Sequence, residues 1–204
     1  MKRYHFYSAV LVIVVFSTIN CYKREEIITE YIPTELKEYS IFEKGSYWLY
    51  KNENDGNIDS TYIFSGPIFN YYQMSETDYT ATEQCQIFYD GSFIGSTFIT
   101  PDEYKLYING HSYVGIKPES LLPGKIFTLE SKTTLTNINL LDSITIYNHT
   151  FHNVFVTQWQ RIYSQTDTFR YTSYFVKKVG LVKFTCRMHN VDTTWTLVNC
   201  HAIH

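Results

Sequence analysis

Four cysteines, seven histidines and scattered carboxylates are the residues of this 204-residue chain whose types could do chemistry. Cys186-x2-His189 and Cys200-x3-His204 together offer two sulfurs and two nitrogens, the donor set of a tetrahedral zinc site. That spacing spans a strand hairpin rather than a compact knuckle, and no metal is expected. His149 and His152 flank a turn, and residues three apart on a strand face opposite sides, so both are read as surface groups. Glu83, Asp90, Asp102 and Glu103 could serve as a glycosidase pair only at a separation that sequence does not set. The chain has no Gly-x-Ser-x-Gly elbow, no phosphate-cradling glycine loop and no His-Glu-x-x-His. A non-enzymatic protein without a cofactor is expected.

The cysteines have other uses. Met1-Lys2-Arg3 is a basic start, Ala9 to Phe16 is unbroken apolar, and Ser17-Thr18-Ile19-Asn20 leads into Cys21. This is the layout of a bacterial secretion signal. The stretch from Tyr7 to Ile19 is 13 residues, short of the roughly 20 that cross a bilayer core. The segment resembles a lipoprotein signal with a loose lipobox of the Bacteroidota type, Asn20 and Thr18 standing in the box. The resemblance implies cleavage before Cys21 and acylation of Cys21. Lys23-Arg24-Glu25-Glu26 looks like the lysine-then-acidic signal of surface-exposed lipoproteins, or is a solvated charge cluster. The expected location is the outer membrane, lipid-anchored, facing the cell surface or the periplasm.

Cys85, Cys186 and Cys200 remain, and outside the cytoplasm an oxidised pair is plausible. Strand alternation puts Cys85 with Ile87 and Tyr89, and Cys186 with Val182 and Phe184, so both point inward. It puts Cys200 with Thr196 and Val198, opposite Trp195. A regular hairpin would pair Cys186 with about position 195. Cys85–Cys186, Cys186–Cys200 and buried free thiols all stay open.

Elements must position these groups, and composition says which kind. Without residues 1–20 the chain has fifteen basic and twenty acidic residues, a formal −5, so nucleic acid is not an expected partner. Aromatic residues make up 18% of the sequence, and they suit a pleated, half-buried surface. Short apolar-rich runs alternate with turn signals such as Asp55-Gly56, Asp90-Gly91 and Asn109-Gly110, and no segment holds a helical period for three turns. Strands are expected at Gly45–Lys51, Ile58–Ser65, Ile68–Met74, Glu83–Tyr89, Ser92–Ile99 and Tyr104–Ile108. Others are expected at Ile126–Ser131, Thr133–Ile138, Ser143–Tyr147, Thr150–Tyr163, Phe169–Lys177, Leu181–Met188 and Thr193–Val198. About a dozen strands imply an all-β single domain: an antiparallel barrel or half-barrel, or alternatively a β-sandwich. The division is a signal over 1–20, Cys21 and a linker over 21–40, and the β-rich domain over 41–204.

Phe42-Glu43-Lys44-Gly45-Ser46-Tyr47-Trp48-Leu49-Tyr50, with Asp59-Ser60 after it, resembles the start of a widespread group of Bacteroidota lipoproteins. The closing strands, Tyr174 to Lys183 and Trp195-Thr196-Leu197, do likewise. The resemblance implies a structural motif and brings no catalytic residues. By analogy only, such architecture is similar to half-barrels that carry lipids or lipoproteins through the periplasm. Asp59-Ser60-Thr61, Asp142-Ser143-Ile144 and Asp192-Thr193-Thr194 resemble O-glycosylation sites of exported proteins of this group.

The functional expectation is a binding module held at the membrane by its N-terminal lipid. Tyr47, Trp48, Trp159, Tyr174 and Trp195 line either its core or a face for an apolar or amphipathic ligand. The alternative is an accessory envelope protein that binds a protein or a glycan at its surface. Mass spectrometry of the N-terminal peptide from native membranes is expected to find acyl chains on Cys21, and Cys21→Ala to release the protein from the membrane fraction.

Overall fold

Alternating apolar and polar residues recur along this chain, and in the computed structural model they build one thirteen-stranded sheet. Residues 27–73, 80–91, 93–108, 111–117, 123–164, 168–188 and 191–204 are described. Cys21 and His189 lie outside them. In chain order the elements are β1 (Ile28–Glu30), α1 (Thr34–Ser40), β2 (Tyr47–Asn52), β3 (Ile58–Gln73), β4 (Thr80–Asp90), β5 (Ile94–Ile99) and β6 (Tyr104–Ile108). There follow β7 (His111–Ile116), β8 (Ile126–Glu130), β9 (Thr133–Ile146), β10 (His149–Ile162), β11 (Thr168–Val176), β12 (Gly180–Met188) and β13 (Val191–His201).

The strands are hydrogen-bonded in the order β7-β6-β5-β4-β3-β2-β13-β12-β11-β10-β9-β8, and β1 adds to β4 in parallel. All other pairs are antiparallel. This is the expected all-β antiparallel architecture, and it is not closed into a barrel. β7 and β8 end the path on opposite sides, and among the described residues neither pairs with a second strand.

The two halves of the sheet instead fold face to face over an interior of rings. Phe93 lies 4.9 Å from Tyr50, 4.9 Å from Trp195 and 5.6 Å from Phe184. Tyr171 stacks on Phe184 at 5.5 Å, and Tyr113 of β7 reaches Tyr171 at 5.1 Å. Such ring pairs add about 0.5–1.5 kcal/mol each beyond the area they bury. The halves also bond directly, Thr157 Oγ1 of β10 donating to the Gly115 carbonyl of β7 at 2.7 Å. The approach needs a glycine: a Cβ at Gly115 would stand 2.4 Å from Leu106 Cδ1 and 3.0 Å from Phe175 Cζ. The space bounded by Phe42, Trp48, Tyr50, Tyr89 and Tyr104 is only about 10 Å³, room for at most one water.

The two quoted ends of the domain meet here. Trp48 Nε1 donates to the Val179 carbonyl at 2.7 Å and Tyr50 Oη to the Leu181 carbonyl at 2.8 Å. Phe42 packs on Gly180, where φ is +89° and a Cβ would come within 3.2 Å of the Phe42 ring. The motif's tryptophan, tyrosine and turn glycine thus tie β2 to the β11–β12 turn.

The linker expected over 21–40 is corrected from Ile28 onward. Ile32, Leu36, Tyr39 and Phe42 are buried, and α1 closes one end of the folded sheet. Pro33 is its N-cap, a position where the missing N–H costs nothing. A three-residue strand and a seven-residue helix are too short to show a period in sequence. Buried Glu83 of β4 holds this strap, accepting from Ile32 N at 2.8 Å and pairing with Lys37 Nζ at 3.0 Å. The far end is held by Lys178 N donating to the Glu38 carbonyl at 2.7 Å.

Two further expectations change. Ile58–Ser65 and the described part of Ile68–Met74, which ends at Gln73, are one strand, β3, whose register against β4 shifts between Ile63 and Ile68. Thr133–Ile138 and Ser143–Tyr147 are likewise one strand, β9. β7 was not expected, because His111, Ser112 and Gly115 dilute its pattern.

Two outcomes follow from this core. Trp48→Ala should lower unfolding free energy by about 3–5 kcal/mol, read from urea titration. Burial raises the hydroxyls of Tyr50, Tyr89, Tyr104 and Tyr113 and pushes the Cys85 thiol up to about 12. The unfolded chain would release these protons from about pH 8.5–10 while the folded chain keeps them. Stability should therefore be full below that range and fall as pH rises towards 12, read as a declining urea midpoint between pH 9 and 11.

Candidate binding groove between the free sheet edges

The sheet's two free edges line one groove of about 520 Å³. Ser112, Tyr113 and Val114 form its β7 wall, and Thr128, Leu129 and Glu130 its β8 wall. Trp159 and Arg161 of β10, Glu103 and Lys105 beside β7, Lys117 and Thr133 complete it. Among the described residues β8 pairs with β9 alone and β7 with β6 alone, so each presents an edge with backbone donors and acceptors, the Gly115 carbonyl of β7 being taken by Thr157.

Trp159 is the groove's aromatic anchor. It is 8% exposed, stacks on Tyr171 at 5.3 Å and meets Tyr113 edge-on at 6.5 Å. The ring is therefore fixed before anything binds. Charge is mixed: Lys105, Lys117 and Arg161 face Glu103 and Glu130. Glu103 and Lys105 form an ion pair, and the Arg161 guanidinium lies 5.2 Å from the Tyr163 ring. The Thr133 hydroxyl is buried without a hydrogen-bond partner. With strand edges of six and five residues, the groove can hold an extended segment of about five residues, roughly 17 Å long.

The other aromatics singled out from sequence do not gather here. Trp48 is buried between Phe42 at 5.0 Å and Tyr89 at 6.0 Å. Trp195 stacks on Phe93. Tyr174 packs half-buried against the core with Lys183 Nζ 5.5 Å from its ring, and Tyr47 lies half-buried 6.0 Å from the His201 ring. Of the five, Trp159 alone lines the groove. Glu103 was singled out only as a carboxylate, and Lys105, Lys117, Glu130 and Arg161 were missed. No local pattern marks them, because their common feature is nearness to two edges far apart in sequence.

The remaining carboxylates are dispersed. Glu83 is spent on the strap, and Asp90 accepts from Tyr62 Oη at 2.6 Å. His149 and His152 are exposed on β10.

Cys85, Cys186 and Cys200 are free thiols, so the Cys85–Cys186 bridge weighed from sequence is not formed. Three strands of the sheet separate β4 from β12. Cys186 pairs with Thr193 rather than with position 195. A register shift between Leu197 and Asn199 sets Cys200 opposite Trp48. That bulge turns Cys200 to the interior face, against the alternation that placed it with Thr196 and Val198. His204 Nε2 lies 2.9 Å from the Lys178 carbonyl oxygen. Burial pushes the Cys186 thiol up to about 11 and raises that of Cys200.

No family model and no curated protein matches this chain. Two solved structures are similar to it in chain course. A candidate lipoprotein from Parabacteroides distasonis is 13% identical with a TM-score of 0.45, over 80% of this chain and 98% of the other. A candidate exported protein with a YmcC-like fold from Bacteroides fragilis is 8% identical with a TM-score of 0.45, over the same shares, 80% and 98%.

The thiols provide a check on the packing. Unfolded protein should titrate Cys85, Cys186 and Cys200 without added reductant, while in folded protein at pH 8 Cys85 should resist alkylation. A requirement for reductant would contradict this arrangement.

Proposed function

We propose that this protein is a lipid-anchored, non-enzymatic binding module of the bacterial outer membrane that grips an extended peptide segment of a partner protein. The observation that supports this reading is the pair of unpaired strand edges flanking the groove at Trp159. An edge strand recognises any extended backbone through its main-chain groups, and pockets for alternate side chains select the sequence. Here one side-chain row of the guest would pack against Trp159. Glu103, Glu130, Lys117 and Arg161 would select charges on the flanking positions.

The curved face favoured from sequence as a holder for an apolar ligand is filled by the protein's own rings. The surface-binding alternative therefore suits the geometry better. The groove is open, of ligand size and polar at its rim, which favours a wet, exchangeable partner over a sequestered lipid. No step of bond making or breaking is assigned to it.

The test is site-specific photocrosslinking in the native cells, with the probe at Ser112 on β7 and, separately, at Thr128 on β8. Both positions should capture one segment of one partner protein, and Trp159→Leu should abolish both products in protein that still folds. Capture of a sugar chain, or of different molecules at the two edges, would replace this reading with the glycan-binding or non-specific one.

A further inference from the structure

We infer that a projecting aromatic arm, made of β1 and the second half of β3, rests on the membrane surface beside the acyl chains of Cys21. β2 covers β3 only from Ile58 to Tyr62. From Ile68 to Gln73, among the described residues, β3 pairs with β4 alone, and β1 lies on the other side of β4. The arm has lost the cover that the body of the sheet enjoys, yet it is not polar. Tyr71 is 61% exposed, Tyr72 56%, Tyr31 62% and Ile28 67%, with Ile68 and Phe69 exposed beside them.

Tyr71, Phe69 and Tyr31 gather on the face of β4 that carries Glu83 and Cys85, Tyr31 meeting Tyr71 edge-on at 6.4 Å, while Ile28, Ile68 and Tyr72 expose the opposite face, so the arm is apolar on both sides. Single surface apolars are ordinary, but a connected group of this kind marks a contact surface. Its chemistry fits the headgroup level of a bilayer, where tyrosine keeps its hydroxyl wet and its ring in the apolar boundary. Lys37, whose ammonium lies 5.6 Å from the Phe69 ring, is already paired with Glu83. Recognition is therefore by rings rather than by charge.

The chain's own length selects a bilayer as occupant. Ile28 is seven residues after Cys21, so the tether spans at most about 25 Å. The inference rests on the reading of Cys21 as acylated. Given that anchor, the arm is held against the membrane at high effective concentration, and a weak apolar contact is enough to dock it. Docking would give the domain one orientation on the membrane instead of free rotation about its tether.

The experiment uses the full mature chain, purified in detergent with its native N-terminus and reconstituted into phosphatidylethanolamine–phosphatidylglycerol vesicles carrying brominated acyl chains. Tyr72→Trp and Tyr31→Trp report on the arm, and Ile58→Trp reports on the opposite end of β3. Intact mass reads acylation independently. Several-fold stronger quenching at positions 72 and 31 than at 58 is the expected result. Equal, weak quenching in vesicle-bound, acylated protein would overturn arm docking while leaving the anchor. A mature chain without acyl groups would remove the anchor reading itself. A stable dimer in which Tyr72→Trp is shielded equally with and without vesicles would assign the arm to a second copy and overturn the inference.

Discussion

The packing of aromatic rings, edge-on and stacked, between the two halves of the folded sheet is the interaction on which the rest of this structure depends. Phe93, just before β5, and Phe184, Tyr171 and Tyr113, from β12, β11 and β7, meet here, and their contacts substitute for the hydrogen bonds that would close a barrel. Large flat side chains fill the wide gap between two curved halves with few residues. Smaller aliphatic residues would leave voids, and voids in a core cost stability. With the interior occupied in this way, the concave face is core and not a cavity.

The same packing explains why the edges stay apart. Thr157 bonds to the carbonyl of Gly115, and the missing side chain there lets Leu106 and Phe175 close in. β7 is thereby pinned onto the face of β10 rather than alongside β8. Two edges are left to line a groove with Trp159 in it. At the other extreme of the architecture, β3 outruns β2 and is left with one neighbour. Both surfaces come from strand stretches that, among the described residues, pair on one side only.

The strap through β1 and α1 joins these regions to the N-terminus. A buried carboxylate with one ionic partner and one backbone donor is costly to break, because removing either leaves charge or polarity stranded. Glu83 fills that role, fixing Ile32 and Lys37 to β4. Lys177 reaches Glu38 at 2.8 Å and holds that carboxyl below its ordinary range, but this pair is exposed and contributes little. The strap therefore depends mainly on Glu83 and on the apolar side of α1.

The local sequence by itself determined the strands, because a period of two is written in neighbouring residues: Val182, Phe184 and Lys183 show it within one turn-bounded segment. It determined the turn at Asp90-Gly91, where φ is +152° and a Cβ would stand 2.6 Å from the Ser60 carbonyl. It left Trp48 and Trp195 open between core and ligand face, and the packing put both in the core. Tertiary structure alone decided which strands end the sheet, and so which side chains line the groove. Glu103, just before β6, and Arg161 of β10 come to line one groove only because β6 and β10 lie on opposing halves. It decided as well that Cys200 turns inward, since one extra residue at a bulge inverts every side chain beyond it. Local periodicity is a property of a few consecutive residues, whereas edges, bulges and facing layers depend on where distant strands stop.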